Sequence, residues 1–205
     1  VCVLAASLNL LFSIVVYNLP ETSFIFPWAG SDYGISFALR VYNFSQNAVL
    51  FVGILFFLIT IYTVIFLKGK RYNGSFLLLM LLTLALTNGA LLANNMIILL
   101  FFWEGLLVTL YCMILTSSSQ KPRTATKALF LNGFADLLLT LGVIVTCQLA
   151  GTTLISDIQQ LSLSGYGVLG FTCMMLGAIG KAGSMPFHSW IPDAAAPRFP
   201  WIKSP

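Results

Sequence analysis

The sequence predicts an all-α integral membrane protein, and three observations carry this prediction. Of the 205 residues, 59% are hydrophobic and only 8% are charged, whereas a soluble domain carries roughly 25% charged residues. The apolar residues are gathered in six long stretches that are separated by polar connections. Basic residues recur in every second connection. We therefore predict a single transmembrane domain over residues 1–205, with about six membrane-spanning helices.

The six apolar stretches approach the length of ~20 residues that a helix needs to cross a bilayer. They cover residues 1–17, 48–67, 75–93, 96–117, 125–148 and a last run from about 167 to a break after Lys181. Phe, Leu and Ile fill all faces of these runs, which is typical of helices covered by lipid or by other helices. The chain begins inside the first run, without an initiator methionine, and we expect it to be part of a longer protein.

The connections between the stretches differ in charge, and this difference predicts the orientation. One set is basic, with Lys68, Lys70, Arg71, Lys121, Arg123, Arg198 and Lys203. The alternate set is acidic on balance, with Glu21, Asp32, Arg40 and Asp157. By the positive-inside rule, the basic side faces the cytoplasm or an organellar matrix. We expect a multi-pass protein of a bacterial or archaeal cytoplasmic membrane or of an organellar inner membrane.

The longest outer connection covers residues 21–46. Apolar and other residues alternate there from Ile35 to Tyr42, and a period of two is typical of a strand. We predict a short external β-hairpin near residues 35–46. The outer connection over residues 150–165 is expected to contain a short interfacial helix.

Three ionisable residues lie inside apolar runs, namely Glu104, Asp136 and Lys181. Each costs about 2.5–3.5 kcal/mol at the centre of a membrane helix, so each must face inward, form a pair or contact water. Asn132 and Thr140 flank Asp136 at a spacing of one helical turn. This polar stripe predicts either a proton-handling group or a hydrogen bond that joins two helices.

Lys181 has the strongest physical case for a function. Pro186 and Gly183 predict that the helix breaks directly after it, which leaves free carbonyl groups and a negative dipole end beside the ammonium. Burial favours the neutral amine, whereas a neighbouring carboxylate favours the ammonium. Such a lysine can therefore carry a switchable proton, or it can form a static ion pair between helices. Glu104 is the favoured partner, although it lies about six residues nearer the outer end of its run, a mismatch of roughly 9 Å.

Three further residues are weaker candidates. Lys127 can extend its side chain to the membrane surface or join a proton path. His188 can relay protons or stabilise the helix break, and Asp193 can cap a helical turn or take up protons. The single histidine excludes a haem with two axial histidines from this chain. The sequence shows no metal-ligand cluster, phosphate loop or activated nucleophile, and we expect no cofactor.

Three stretches resemble the antiporter-like subunits of respiratory complex I and their relatives in cation/proton antiporters and membrane-bound hydrogenases. They are Phe102-Trp103-Glu104-Gly105-Leu106, then Lys127-Ala128-Leu129 with Asp136 nine residues on, and the long string from Gly180 to Ala194. The long string is the most specific, because proton-conducting members carry a similar lysine, proline, histidine, tryptophan and aspartate at this spacing.

The resemblance implies that the chain corresponds to helices two to seven of a roughly fourteen-helix subunit, which is half of an inverted-repeat fold. It implies a proton path through Glu104, Lys181, Lys127, Asp136, His188 and Asp193. Some complex I members carry an arginine at the position of Gly133, and this chain departs from them there. The implied partners are other membrane-arm subunits, lipid, and protons or sodium, with no nucleic acid.

The redox chemistry of such an assembly would reside in other chains, so this chain would be a subunit of an ion-translocating oxidoreductase. Two alternatives remain at this point. The chain could belong to a multisubunit cation/proton antiporter, or it could be a structural half-subunit whose buried charges form static pairs.

Overall fold

The structure, a computed structural model, describes residues 2–26, 36–66, 73–117, 122–158, 164–184 and 187–195. These ranges are mostly helical, and all six predicted apolar stretches form helices. These six helices are α1 (Cys2–Asn18), α2 (Asn43–Phe66), α3 (Asn73–Leu92), α4 (Met96–Ser117), α5 (Pro122–Ala150) and α7 (Tyr166–Lys181). A single helical turn, α6 (Ile155–Ile158), lies between α5 and α7. A 3₁₀ turn (Phe187–Ser189) and a short helix α8 (Trp190–Ala195) follow the break.

Four of these helices are long and apolar enough to cross a membrane. They are α2, residues 74–92 of α3, residues 96–116 of α4, and α5. The helices α1 and α7 are apolar but shorter. Together with the fold described below, this identifies an integral membrane protein that crosses the bilayer several times.

The predicted hairpin exists, but its bounds differ from the prediction. Strand β1 (Thr22–Phe26) pairs antiparallel with strand β2 (Phe37–Val41), with Thr22 opposite Val41. Only β2 lies within the predicted range of 35–46, and Asn43 already begins α2. The alternating pattern found one strand correctly. It missed β1 because Thr22–Phe26 contains an apolar run rather than a strict alternation, and it cannot reveal which segment pairs with β2.

Three connections meet at one end of the helical bundle. The backbone N–H of Asn94, between α3 and α4, donates to the Ala38 carbonyl of β2 at 2.8 Å. The N–H of Ile155 in α6 donates to the Asn94 carbonyl at 2.9 Å. The Asn95 amide, which is fully buried, donates to the Thr153 hydroxyl at 2.9 Å. These connections are the set predicted to share the outer side, whereas the basic loops 67–72 and 118–121 lie outside the described residues.

The closest helix packing joins α5 to α7, and glycines make it possible. A Cβ atom added to Gly177 would lie 2.7 Å from the Leu139 Cβ and 2.9 Å from the Ala135 carbonyl oxygen. One added to Gly142 would lie 2.7 Å from the Gly170 carbonyl oxygen. Small residues let membrane helices approach with their backbones nearly in contact. These contacts set the relative positions of the two antiparallel helices.

The turn after α7 satisfies the Ile179 and Gly180 carbonyl groups, so fewer carbonyls are free beside Lys181 than the sequence predicts. The N–H of Ser184 donates to the Ile179 carbonyl at 3.2 Å, and the N–H of Gly183 donates to the Gly180 carbonyl at 3.0 Å. This is a Schellman motif, and Gly183 takes the positive φ of 65° that the motif requires. The helix therefore ends through Gly183 before the chain reaches Pro186, which lies outside the described residues.

Candidate functional site

The last residue of α7 forms a buried ion pair with α5. The Lys181 Nζ lies 2.7 Å from Asp136 Oδ2, and the two side chains are 15% and 2% exposed. Asp136 lies on a helix long enough to cross a membrane and Lys181 on a shorter apolar helix, and an unpaired charge is costly in such surroundings. The pair satisfies this requirement for both residues at once.

Trp103 of α4 completes the site. Its indole Nε1 donates to Asp136 Oδ1 at 2.8 Å, so each oxygen of the carboxylate accepts a hydrogen bond. The Lys181 ammonium donates to the Trp103 carbonyl at 3.3 Å and lies 5.3 Å from the centre of the Trp103 ring. A cation near an aromatic face gains further electrostatic stabilisation. Trp103 lies in the motif of residues 102–106, but no pattern in the sequence predicts its contact with Asp136.

The packing of α5 on α7 explains why Asp136 meets Lys181. Gly177 lies against Ala135 and Leu139, and Lys181 follows Gly177 by one helical turn on the same side of α7. The two residues also lie at similar depths below the outer ends of their helices. Asp136 is about 14 residues from the end of α5, and Lys181 is about 15 residues from the start of α7. The same count on the sequence would have favoured Asp136 over Glu104 as the partner.

Glu104 lies elsewhere. Its side chain is exposed on the surface of the described bundle, on the same face of α4 as Phe101 and Val108, which are 67% and 58% exposed. It makes no ion pair or hydrogen bond with any other described residue. The direct partner of Lys181 is therefore Asp136, and a role for Glu104 in transport stays a prediction.

A second lysine–aspartate pair lies at the opposite end of α5 from Ala150. The Lys127 Nζ lies 2.7 Å from Asp193 Oδ2 and donates to the Ser189 carbonyl at 2.9 Å. These contacts hold α8 and the 3₁₀ turn against the start of α5. Asp193 thus pairs with a cation, and the Lys127 side chain reaches the segment after the break. His188 is exposed and has no hydrogen-bond partner among the described residues.

The two pairs connect α5 to the segment on either side of the helix break. Asp136 contacts the residue before the break, and Lys127 contacts the residues after it. The described ranges contain no group of three or more His, Cys, Asp or Glu side chains that could hold a metal ion. The chemistry that this arrangement offers is the storage and exchange of protons between carboxylates and amines.

The site residues Trp103, Asp136 and Lys181 all fall within residues 93–200, which match the family described as NADH:quinone oxidoreductase/Mrp antiporter, transmembrane. The chain belongs to this family. The family match includes α4, α5, α7 and α8, so it contains both lysine–aspartate pairs.

Two relatives illustrate the range of the family. The chain is 28% identical over 204 residues to NADH-quinone oxidoreductase subunit L of Campylobacter jejuni, covering 93% of this chain and 32% of that protein. It is also 28% identical over 146 residues to Na(+)/H(+) antiporter subunit A1 of Staphylococcus saprophyticus, covering 67% of this chain and 18% of that protein. The chain thus spans less than a third of the length of these relatives.

The fold agrees with the family. A chain of the Mrp complex from Dietzia sp. DQ12-45-1b superposes with a TM-score of 0.82 at 19% identity, over 93% of this chain and 22% of that chain. A chain of respiratory complex I from Thermus thermophilus superposes with a TM-score of 0.77 at 21% identity, over 94% of this chain and 41% of that chain. The antiporter-like helical fold predicted from the motifs is therefore confirmed.

Proposed function

We propose that this chain is part of a proton-translocating subunit of a complex I-like assembly and that the Lys181–Asp136 pair holds the transferred proton. The observation that carries the proposal is the buried pair, in which two ionisable groups on apolar helices lie 2.7 Å apart. Such groups are rare in membranes and mark ion pathways and proton relays. Family membership is consistent with this activity.

The proton would leave Lys181 when its carboxylate partner is neutralised. With Asp136 ionised, the ammonium is stabilised by the carboxylate, by the Trp103 carbonyl and ring, and by the negative end of the α7 dipole. When Asp136 takes up a proton, the largest of these attractions disappears while the amine stays buried. The free energy of keeping Lys181 charged then rises, and its proton passes to the next acceptor. The pair returns to its starting state when Asp136 loses its proton and Lys181 takes up another.

The remaining predicted residues would serve this exchange from outside the pair. Lys127 and Asp193 form the pair at the other end of α5, where protons can pass between the site and the basic side of the membrane. His188 lies in the same segment and is exposed. Glu104 follows Trp103 directly on α4, and its charge would bias the Lys181–Asp136 equilibrium over the intervening distance.

The exposed Glu104 also supports partners for this chain. A carboxylate facing hydrocarbon is costly, so we infer that another protein surface covers this face of α4. The structural neighbours come from multisubunit membrane complexes, and we propose that other membrane-arm subunits or the remainder of a longer subunit fill this role. The basic connections would face the cytoplasm or matrix.

Replacing Lys181 by methionine in the complete assembly tests the proposal. Methionine keeps the length and apolar stem of the side chain but cannot hold a proton. We expect proton transport into proteoliposomes to fall by at least tenfold, measured with a pH-sensitive dye, while the assembly is still recovered from the membrane.

The matched control is Arg123→Met, which removes an exposed cation at the start of α5. It changes the net charge equally and should leave transport at the rate of the unmodified protein. If Lys181→Met also transported at that rate, the pair would be a static link between helices and the proposal would fail.

A second candidate is a subunit of a sodium/proton antiporter, and the equal identity of 28% to subunits of both kinds favours keeping it. The two differ in their driving force. Proton transport that requires an electron donor and stops with an inhibitor of electron transfer supports the complex I-like assembly. Proton movement that is driven by a sodium gradient alone supports the antiporter.

A further inference from the structure

A groove runs along the exposed face of α5, with a volume of about 490 Å³. Its lining residues are Thr126, Leu129, Phe130, Gly133, Phe134 and Leu137. Phe130 and Leu137 are 75% and 69% exposed. Ala135 and Gly142, which contact α7, lie on the other side of α5 by the helical period. The groove therefore faces away from the α5–α7 interface.

The length of the groove matches one leaflet of a bilayer. It extends from Thr126 to Leu137, which is about 16 Å along the helix axis. One leaflet of the hydrocarbon core is about 15 Å deep, half of the total thickness. Gly133 leaves the middle of the groove open, because a Cβ added there would lie 3.9 Å from Leu107 Cδ2 of α4, an ordinary contact distance. The groove thus has the length and the apolar lining that suit one acyl chain.

The two ends of the groove differ in polarity. Thr126 supplies the one hydroxyl among the lining side chains, at the end nearest the start of α5. Arg123 is exposed and lies three residues before Thr126, on the same face of the helix. It has no carboxylate partner among the described residues, whereas Lys127 is paired with Asp193. The groove therefore has an uncompensated cation at its outer mouth and apolar side chains below.

An anionic phospholipid has the same distribution of charge and apolar surface. The planar guanidinium of Arg123 can donate two parallel hydrogen bonds to a phosphate, and the Thr126 hydroxyl offers a further donor. Lys121 directly precedes α5 in the sequence, and basic residues beside a membrane surface attract anionic headgroups. A zwitterionic headgroup such as phosphatidylcholine would bring its own cation close to these basic residues. The charge therefore favours an anionic headgroup.

We propose that this groove binds an anionic phospholipid, with the phosphate at Arg123 and Thr126 and one acyl chain lying over Gly133. The lipid would occupy the leaflet on the basic side of the protein. The inference goes beyond the proposed function and does not depend on it, because the groove faces away from the α5–α7 interface that carries the Lys181–Asp136 pair.

Photoreactive lipids test the site in the complete assembly. The assembly is reconstituted into bilayers that contain phosphatidylglycerol with a diazirine in one acyl chain, or phosphatidylcholine with the same chain. Peptide mass spectrometry then measures the labelling of residues 126–137. We expect phosphatidylglycerol to label this segment about fivefold more than phosphatidylcholine, and Arg123→Gln to remove this preference, which is the effect of one cation beside an anionic headgroup. Arg40→Gln is the matched control, because it removes a cation on β2 at the other side of the protein, and it should leave the preference unchanged.

A second variant tests the groove itself. Gly133→Leu fills the middle of the groove and should lower the labelling by both lipids at least threefold. Gly74→Leu adds the same side chain where no atom lies within 4 Å of the added Cβ, and it should label like the unmodified protein. Equal labelling by the two lipids that Arg123→Gln does not change would overturn the headgroup site. Absence of labelling over residues 126–137 with either lipid would show that protein covers the groove, which also overturns the inference. Labelling is measured without transport, so these outcomes are separate from the failure of the proposed function.

Discussion

Two lysine–aspartate pairs with the same separation of 2.7 Å join α5 to the segment around the helix break. The side chains of Lys181 and Asp136 are 15% and 2% exposed, whereas those of Lys127 and Asp193 are 42% and 49% exposed. The distance between the atoms therefore does not distinguish the pairs. The pairs differ in their exposure to water, and the attraction between two charges becomes stronger as water is removed.

The two pairs therefore suit different tasks. The buried pair is attached to the closely packed α5–α7 interface, and losing either partner leaves an uncompensated charge. The exposed pair joins the end of α5 to the short helix α8 and exchanges readily with solvent. A proton path needs both kinds of site, one that stores the proton away from water and one that exchanges it with the aqueous side.

The largest effect is expected for Asp136→Leu. This variant leaves the Lys181 ammonium buried without its carboxylate and should cost about 3–5 kcal/mol of stability. The measurement is the thermal unfolding of the assembly together with its proton transport. The double variant Asp136→Leu with Lys181→Met should recover most of the stability, because no unpaired charge remains, but it should not recover transport. If the double variant were as unstable as Asp136→Leu alone, the unpaired Lys181 charge would not be the main cause of the lost stability.

The next effect concerns the packing that supports the buried pair. Gly177→Ala introduces a Cβ that would lie 2.7 Å from the Leu139 Cβ, and such overpacking costs about 1–3 kcal/mol. We expect lower thermal stability and slower transport, because α7 must move away from α5 and carry Lys181 with it. Gly74→Ala is the control, since no atom lies within 4 Å of its added Cβ. Equal stability of both variants would show that the α5–α7 approach is not tight.

A smaller effect is expected for Trp103→Phe. The variant keeps a ring beside Lys181 but removes the N–H that donates to Asp136 Oδ1, at a cost of about 1–2 kcal/mol. The carboxylate then accepts one hydrogen bond fewer, so we expect the assembly to be less stable to heat and to transport protons more slowly than the unmodified protein. Stability and transport equal to those of the unmodified protein would indicate that the indole only packs against the pair.

The smallest effect is expected at the exposed pair. Lys127→Met should change the thermal stability by less than about 1 kcal/mol, and the difference should decrease as salt is added. Exchanging the two residues, with Lys127→Asp and Asp193→Lys in one protein, should restore the contact and the stability. A loss as large as that of Asp136→Leu would remove the distinction between the two pairs.

Several features could be predicted from the sequence because they depend on local composition. The six apolar stretches, the polar connections and the three intramembrane charges follow from which residues occur in succession. The break after Lys181 could also be predicted, since a glycine followed closely by a proline favours the end of a helix. The motif around Lys181 and His188 was specific enough to identify the family, which the match over residues 93–200 confirms.

Pairings between distant segments could not be predicted in the same way. Strand β2 was recognised from its alternation, but its partner Thr22–Phe26 was not, because no local pattern encodes which segment lies beside it. The pairing of Lys181 with Asp136, and not with Glu104, likewise joins distant segments and could not be predicted from a local pattern. Trp103 gained its role only when α4 brought its indole to the carboxylate.

The sequence by itself determined the class of the protein, the number of its apolar helices and the ionisable residues that the membrane must accommodate. The tertiary structure decided which of these residues meet. The physical reason is the contact of α5 and α7 at Gly142 and Gly177, where the helices approach so closely that an added Cβ atom would clash with the facing helix. In that position the carboxylate of Asp136 lies beside Lys181, and the exposed carboxylate of Glu104 does not.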